Sequence, residues 1–222
     1  MDTFRLAVEY ALDPRSGFMS ALGRHLQLSL VALGIAALIG VTLGIVASRW
    51  RPAALVLDNA AGIVRVIPAL ALLFMLIPLL GTGFAPSVVA LTVLAIPPLL
   101  INTEAGMSAV APAILEAGRG MGMTYPLLLW RVQLPLALPV MLAGVRIAAL
   151  EVLASATLAT FIGGGGLGDF ISSGLSQSKT YILLVGAVPV SLMAVGTEIG
   201  LGYLQRRLLR HRQEAAVAAP AM

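Results

Sequence analysis

The sequence has no cysteine, two histidines and few charged residues. Of its 222 residues, 11% are charged and 59% are hydrophobic, whereas soluble domains carry about 25% charged residues. The missing cysteine excludes disulfides, thiolate metal sites and cysteine nucleophiles. His25 and His211 lie far apart with no ligand cluster, which argues against a metal site. So apolar a chain cannot be a soluble enzyme, a disordered protein or a nucleic-acid binder, and it is predicted to be an integral membrane protein.

Five apolar stretches are long enough to cross a bilayer, which takes about 20 mostly apolar residues in a helix. They cover residues 26–47, 54–80, 84–101, 139–162 and 181–204. We therefore predict an all-α membrane protein with about five transmembrane helices. Residues 1–20 are expected to be an extracytoplasmic lead-in, residues 21–205 the membrane domain, and residues 206–222 a basic, partly disordered cytoplasmic tail.

The basic residues between the spans predict the orientation of the chain, since cytoplasmic loops carry an excess of Lys and Arg. With the C-terminus inside, the inner set is Arg49, Arg51, Arg119, Arg131, Arg206, Arg207, Arg210 and Arg212. The outer set is then Arg5, Arg15, Arg24 and Lys179. This distribution favours an outside N-terminus and an inside C-terminus.

Small residues recur every four positions in the first span, which places them on one helix face. They are Ala32, Ala36, Gly40, Gly44 and Ser48. Such a face allows close approach of another helix, so we predict a packing seam here. Gly196 and Gly200 repeat the pattern more weakly in the last span.

The stretch between the third and fourth spans is too polar for a span and too apolar for an ordinary loop. Pro112 suits the first turn of a helix, and residues 113–119 are good helix formers. Gly122 suits a tight turn, and Pro135 and Pro139 limit where the next span can begin. The sequence predicts a short surface helix, a turn and a second helix. Tied rigidly to the membrane bundle, this element could transmit force from a soluble partner.

The same stretch resembles the cytoplasmic loop signature of permease subunits of binding-protein-dependent ABC importers. That signature reads Glu-Ala-Ala, three residues, Gly, nine residues, Ile, one residue, Leu-Pro. Every spacing fits, with Gly118 in place of the second Ala and Val132 in place of Ile. The resemblance implies a type I ABC importer permease fold like that of the methionine permeases. It also implies that the loop, residues 104–138, couples to an ATPase through Glu116, Ala117, Gly118, Gly122, Leu134 and Pro135.

The resemblance further implies the surroundings of the chain. Its partners would be two ABC ATPase subunits, an extracytoplasmic solute-binding protein, a second permease copy or paralogue, and lipid of the bacterial plasma (inner) membrane, with no nucleic acid. The chain contains no G-x-x-x-x-G-K-[ST] motif, so it is expected to be a transport subunit and not an enzyme. ATP would bind to the partner ATPase, and no cofactor is expected in this chain.

Three short sequence segments narrow the resemblance to the osmoprotectant branch, whose substrates are glycine betaine, choline and carnitine. They lie in residues 120–124, 134–139 and 156–171. Ile101 and Glu104 differ from the residues usual at these positions in that branch. A methionine-type amino-acid importer therefore stays open as an alternative. A self-contained secondary transporter or channel is the rival from another class, but the internal repeats usual in such transporters are not found in the sequence.

Five charged residues fall within the predicted spans, where each costs about 2.5–3.5 kcal/mol at the helix centre. They are Asp58, Arg65, Arg146, Glu151 and, near the end of its span, Glu198. Asp58 and Arg65 share a helix face but lie about 10 Å apart along it, too far for a direct pair. Arg146 and Glu151 point to different faces. One hypothesis is that Arg65 and Glu151 border the translocation path or gate. The alternative is a structural ion pair between helices, and both stay open.

Overall fold

The computed structural model describes residues 2–217, with side chains through residue 208. The predicted all-α architecture is confirmed. The described helices are α1 Asp2–Leu12, α2 Phe18–Ala47, α3 Arg51–Val66, α4 Ala69–Leu80, α5 Phe84–Ser108, α6 Pro112–Gly120, α7 Tyr125–Leu128, α8 Leu134–Ala156, α9 Gly168–Ser176 and α10 Thr180–Val217. A π-helical turn, Leu129–Gln133, joins α7 to α8, and 3-10 turns follow α1 and α8.

Four helical segments are long and apolar enough to cross a membrane. They are Phe18–Ala47, Phe84–Ser108, Tyr125–Ile162 and Thr180–Leu208. The first begins eight residues before the predicted span, because Arg24 and His25 lie within its opening turns. α10 continues through the predicted tail, of which residues 218–222 lie outside the described part of the chain.

The stretch predicted as one span over residues 54–80 is instead two helices. α3 and α4 meet at an angle of 100°. The break lies at Pro68, which has no N–H to donate and disfavours the helical conformation of the residue before it. Ile67 is accordingly extended, with φ −72° and ψ 120°. The pair counts as a fifth span only if both helices are taken together.

The core of the bundle is formed by α5, packed between α2 and α8. Leu28, Ala32 and Ala36 of α2 are fully buried against Leu91 and Leu99 of α5 and their neighbours. The predicted packing seam of α2 is confirmed by the lack of space at its two glycines. A Cβ atom on Gly40 would lie 2.7 Å from the Cβ of Leu99, and one on Gly44 would lie 2.6 Å from the Cβ of Thr103. On the α8 side of α5, a Cβ atom on Gly144 would likewise lie 2.6 Å from the Cβ of Asn102.

The outer layer is formed by α1, α9 and α10. α1 packs on α9 and α10 through Ala7 and through Tyr10, whose ring makes edge-on contacts with Phe170 and Tyr181. Arg146 of α8 forms an ion pair with Glu198 of α10. The ion pair balances the charge of Arg146 within the helical bundle. The partner, Glu198, lies 52 positions away in the sequence.

Candidate functional site

The predicted surface helix is present as α6, and its end is set by Gly122. Gly122 has a left-handed backbone, with φ 79°. Its N–H donates to the carbonyl of Arg119 at 2.9 Å, and the N–H of Met123 donates to the carbonyl of Gly118 at 3.1 Å. These two bonds form a Schellman motif, the common C-terminal stop of a helix. The chain therefore reverses sharply between α6 and α7.

α6 has an exposed side and a side packed on α7. Glu116 and Ala117 are exposed, whereas Gly118 is buried. A Cβ atom on Gly118 would lie 2.5 Å from Cδ1 of Leu128, a fully packed residue of α7. Gly118, the departure from the usual second Ala, thus makes room for Leu128. The exposed side is free for a partner, and the packed side fixes α6 to the rest of the loop.

The other two predicted loop residues lie where α8 begins. Leu134 packs on a small buried cluster formed by Met107, Ala137 and Met141. Pro135 is exposed at the second position of α8, directly after the π-helical turn. Leu134 therefore anchors the loop to the bundle, whereas Pro135 adds to its exposed surface.

Arg49 also contacts the loop, although the sequence placed it only among the inner basic residues. Its guanidinium carbon lies 3.8 Å from the ring centroid of Tyr125, and its Nη2 donates to Oε1 of Gln133 at 3.0 Å. Burial, together with the nearby Arg119, lowers the pKa of Arg49 from its ordinary value. The side chain of Arg49 therefore joins the end of α2 to both sides of α7.

The opposite end of the bundle carries the glycine-rich loop Gly163–Gly166. Three of its four glycines have left-handed backbones: Gly163, Gly165 and Gly166. Arg24, near the start of α2, donates from Nε to the carbonyl of Gly164 at 3.0 Å and lies 4.2 Å above the ring of Phe84. The loop follows a helix in an all-α setting, so it lacks the strand that a dinucleotide site requires.

Known proteins match this arrangement over most of the chain. Residues 18–210 match the family described as the binding-protein-dependent transport system inner membrane component. The chain belongs to this permease family.

The permease is similar to several curated proteins of the osmoprotectant branch. It is 40% identical over 184 residues to the choline transport system permease protein OpuBB of Bacillus subtilis (strain 168), covering 83% of this chain and 85% of that protein. It is 40% identical to the carnitine transport permease protein OpuCB of Listeria monocytogenes, over 83% and 85% of the two chains. The osmoprotectant import permease protein OsmW of Salmonella typhimurium is 36% identical over 88% and 91%. These matches confirm the branch that the three short sequence segments predicted.

Solved transporters share the fold of the permease. An inward-facing structure of the MetNI methionine ABC transporter matches with a TM-score of 0.74 and 21% identity, over 86% of this chain and 95% of that one. An amino acid ABC transporter with histidines matches with a TM-score of 0.69 and 23% identity, over 94% and 98%. The predicted type I importer fold is therefore confirmed, and the permease is a multi-pass inner-membrane transport subunit.

The charged residues of the spans fall into separate groups. Arg65 of α3 is exposed, and Glu151 of α8 is half-buried. Their charges lie close enough to interact, but no direct ion pair joins them among the described side chains. Asp58, which the sequence placed out of reach of Arg65, instead lies beside Glu104 of α5 and interacts with it. The two carboxyl groups line an open cleft of about 330 Å³ near the loop end of α5.

Proposed function

We propose that the permease forms, as a pair with itself or with a paralogue, the translocation path of an ATP-driven importer for an osmoprotectant. The substrate class is a quaternary amine such as glycine betaine, choline or carnitine, because relatives 39–40% identical carry those substrates in their names. A solute-binding protein would deliver the solute, and partner ATPase subunits would bind and hydrolyse ATP.

The observation that carries the coupling role is the two-sided character of α6. Glu116 and Ala117 are exposed, while Gly118 packs against Leu128. A helix exposed on one side and fixed on the other can receive a partner and pass on its displacement. ATP binding on the partners would thereby move the paired bundles between outward-open and inward-open states.

The charges at the two ends of the bundle support an orientation with the α6 end in the cytoplasm. The α6 end carries Arg49, Arg51, Arg119, Arg131, Arg206 and Arg207, whereas the glycine-rich end carries Arg5, Arg15, Arg24 and Lys179. This asymmetry agrees with the positive-inside rule. α10 starts after Lys179 and runs toward the α6 end, so the C-terminus is inside and the N-terminus outside.

The substrate and the energy source are tested together in proteoliposomes. The permease would be reconstituted with its ATPase and binding protein, and uptake of labelled choline, glycine betaine, carnitine and methionine would be compared. We expect ATP-dependent uptake of the quaternary amines and none of methionine. Methionine uptake alone would favour the amino-acid alternative. Uptake by the permease without ATPase, under an ion gradient, would overturn the importer function.

The coupling surface is tested by Glu116→Lys, which reverses an exposed charge without disturbing the packed side of α6. We expect uptake and ATPase co-purification to fall by about tenfold, equivalent to about 1.4 kcal/mol of docking free energy. The matched control is Glu9→Lys, an exposed glutamate on α1 at the other end of the molecule. Wild-type uptake by the Glu116 variant would contradict the coupling role.

The path hypothesis for Arg65 and Glu151 is tested by Glu151→Gln, which removes a charge and keeps the shape. A charge within a membrane segment is costly unless it faces a polar path, so the presence of Glu151 favours a role in the path. We therefore expect uptake to fall severalfold while the amount of assembled complex is unchanged. Arg65→Gln should have the same effect. Normal uptake by a normally assembled Glu151 variant would leave both residues outside the path.

A further inference from the structure

We propose that Arg49 is a positioning residue that holds the α6–α7 element to α2 and transmits the displacement of that element into the membrane bundle. This inference rests on the proposed coupling role of α6. It assigns a mechanical role to a residue outside the loop signature.

The contacts of Arg49 span the whole α7 turn. Tyr125 is the first residue of α7, and Gln133 is the last residue of the π-helical turn that follows it. The guanidinium stacks on the first at 3.8 Å and donates to the second at 3.0 Å. A planar guanidinium can stack and donate at the same time, whereas a lysine ammonium cannot reproduce both contacts.

The connection continues from Arg49 into the core. Gln133 donates from Nε2 to the carbonyl of Met107 in α5, at 3.4 Å. α2 and α5 are packed against each other at Gly44 with no room for a Cβ atom. A force on α7 therefore reaches two helices that are in close contact at Gly44.

The connection also runs outward to the partner surface. Leu128 of α7 fills the space left by Gly118 of α6. A displacement of the exposed side of α6 is thus passed to α7 by packing, and from α7 to α2 by Arg49. The contact with Arg49 is the polar step in this route, so it can be altered without changing the apolar core.

Two roles for Arg49 make different predictions. If the residue served only as a basic anchor at the cytoplasmic end of α2, lysine would replace it fully, since either cation satisfies the positive-inside rule. If it positions the loop, lysine fails because it loses the simultaneous stack and hydrogen bond. Arg51, an exposed basic residue two positions away on α3, provides the matched control.

The experiment measures solute uptake per ATP hydrolysed in the reconstituted complex, together with co-purification of the ATPase. For Arg49→Lys we expect normal co-purification and a loss of about tenfold in uptake per ATP, the size of effect of a cation–π contact together with a hydrogen bond. Arg51→Lys should match the wild type. Tyr125→Phe should retain coupling because it keeps the ring, whereas Tyr125→Ala should lose it.

Three results would overturn the proposal. They are wild-type coupling in Arg49→Lys, wild-type coupling in Tyr125→Ala, and loss of ATPase co-purification in Arg49→Lys, which would place Arg49 in docking rather than transmission. The Tyr125 pair keeps the test decisive if the Arg49→Lys permease is not inserted in the membrane or is degraded before any complex can form. Wild-type uptake by Glu116→Lys would instead refute the proposed coupling surface itself, so the two failures are distinguishable.

Discussion

Two helices of this permease are alike in hydropathy and opposite in burial. Apolar 18-residue stretches of α5 and α10 have mean hydropathies of 2.2 and 2.0, yet 67% of the first and 17% of the second are buried within the bundle. Hydropathy therefore indicates that a helix lies in the membrane and says little about its place in the bundle. Lipid tails are as apolar as leucine, so an apolar face has no need to be covered by protein.

The difference between the two helices comes from small residues on their neighbours. Gly40 and Gly44 of α2 and Gly144 of α8 face α5 at distances that exclude a Cβ atom. Gly196 and Gly200 of α10 have no atom within 4 Å of where a Cβ would lie. Close approach through glycine therefore follows α5 from both sides, whereas on α10 it is confined to the first part of the helix, at Gly186 and opposite Gly174 of α9.

The largest effect is expected from a methyl group added at the centre. In Gly44→Ala the new Cβ would meet the Leu100 carbonyl oxygen at 2.7 Å, an atom that cannot move without the helix. We expect a loss of about 2 kcal/mol of stability from overpacking, measured by unfolding in detergent. Gly196→Ala, the control on α10, should be neutral or gain up to about 1 kcal/mol from helix propensity. Equal effects at the two sites would invalidate the comparison.

A smaller effect is expected where glycine is required by the backbone rather than by space. Gly122 has φ 79° and open space around its Cβ position. Gly122→Ala should cost about 1–2 kcal/mol in the loop, since left-handed backbone disfavours a Cβ atom. Gly120→Ala, on the preceding turn with equally open space, is the control. Uptake and proteolysis of the loop are the measurements, and unchanged behaviour of Gly122→Ala would show that the turn tolerates a side chain.

The smallest effect concerns the contact that joins the core to the periphery. Arg146 and Glu198 lie within membrane spans and are 34% and 39% exposed. Polar contacts between membrane helices contribute about 0.6 kcal/mol on average in double-mutant cycles, so Glu198→Ala should lower stability by about 1 kcal/mol or less. The exchange of the two residues, Arg146→Glu with Glu198→Arg, should recover part of the loss in a double-mutant cycle. An additive cycle would mean that the pair does not hold α10 to α8.

The sequence predicts the features that depend on local chemistry. Apolar runs predicted the four long apolar helical segments, four-residue spacing predicted the seam at Gly44, and Pro112 with Gly122 predicted the bounds of α6. The break at Pro68 was missed because a proline in an apolar run does not by itself end a helix. Pro97, for example, lies inside a continuous helix of the same protein. Whether a proline breaks a helix depends on its neighbours in space, which the sequence does not display.

The candidate site was predicted in part for the same reason. The loop signature located Glu116 and its neighbours, but it carried no sign of Arg49, whose partners lie 76 and 84 positions away. The pairing of Arg146 with Glu198 and of Asp58 with Glu104 likewise joins different helices. A pattern along the chain identifies a charged residue, whereas the fold decides which charge it meets.

Arginines near the two ends of α2 fix this helix to a different segment at each end of the bundle. Arg24 holds its start to the glycine-rich loop and Phe84, and Arg49 holds its end to α7. The two residues are 25 positions apart, about 37 Å along a helix axis. A displacement of α2 along its axis would therefore act on both arginine contacts, and it would also shift α2 against α5 at Gly44. A spectroscopic label on the glycine-rich loop would test whether a displacement of α7 reaches the far end of α2.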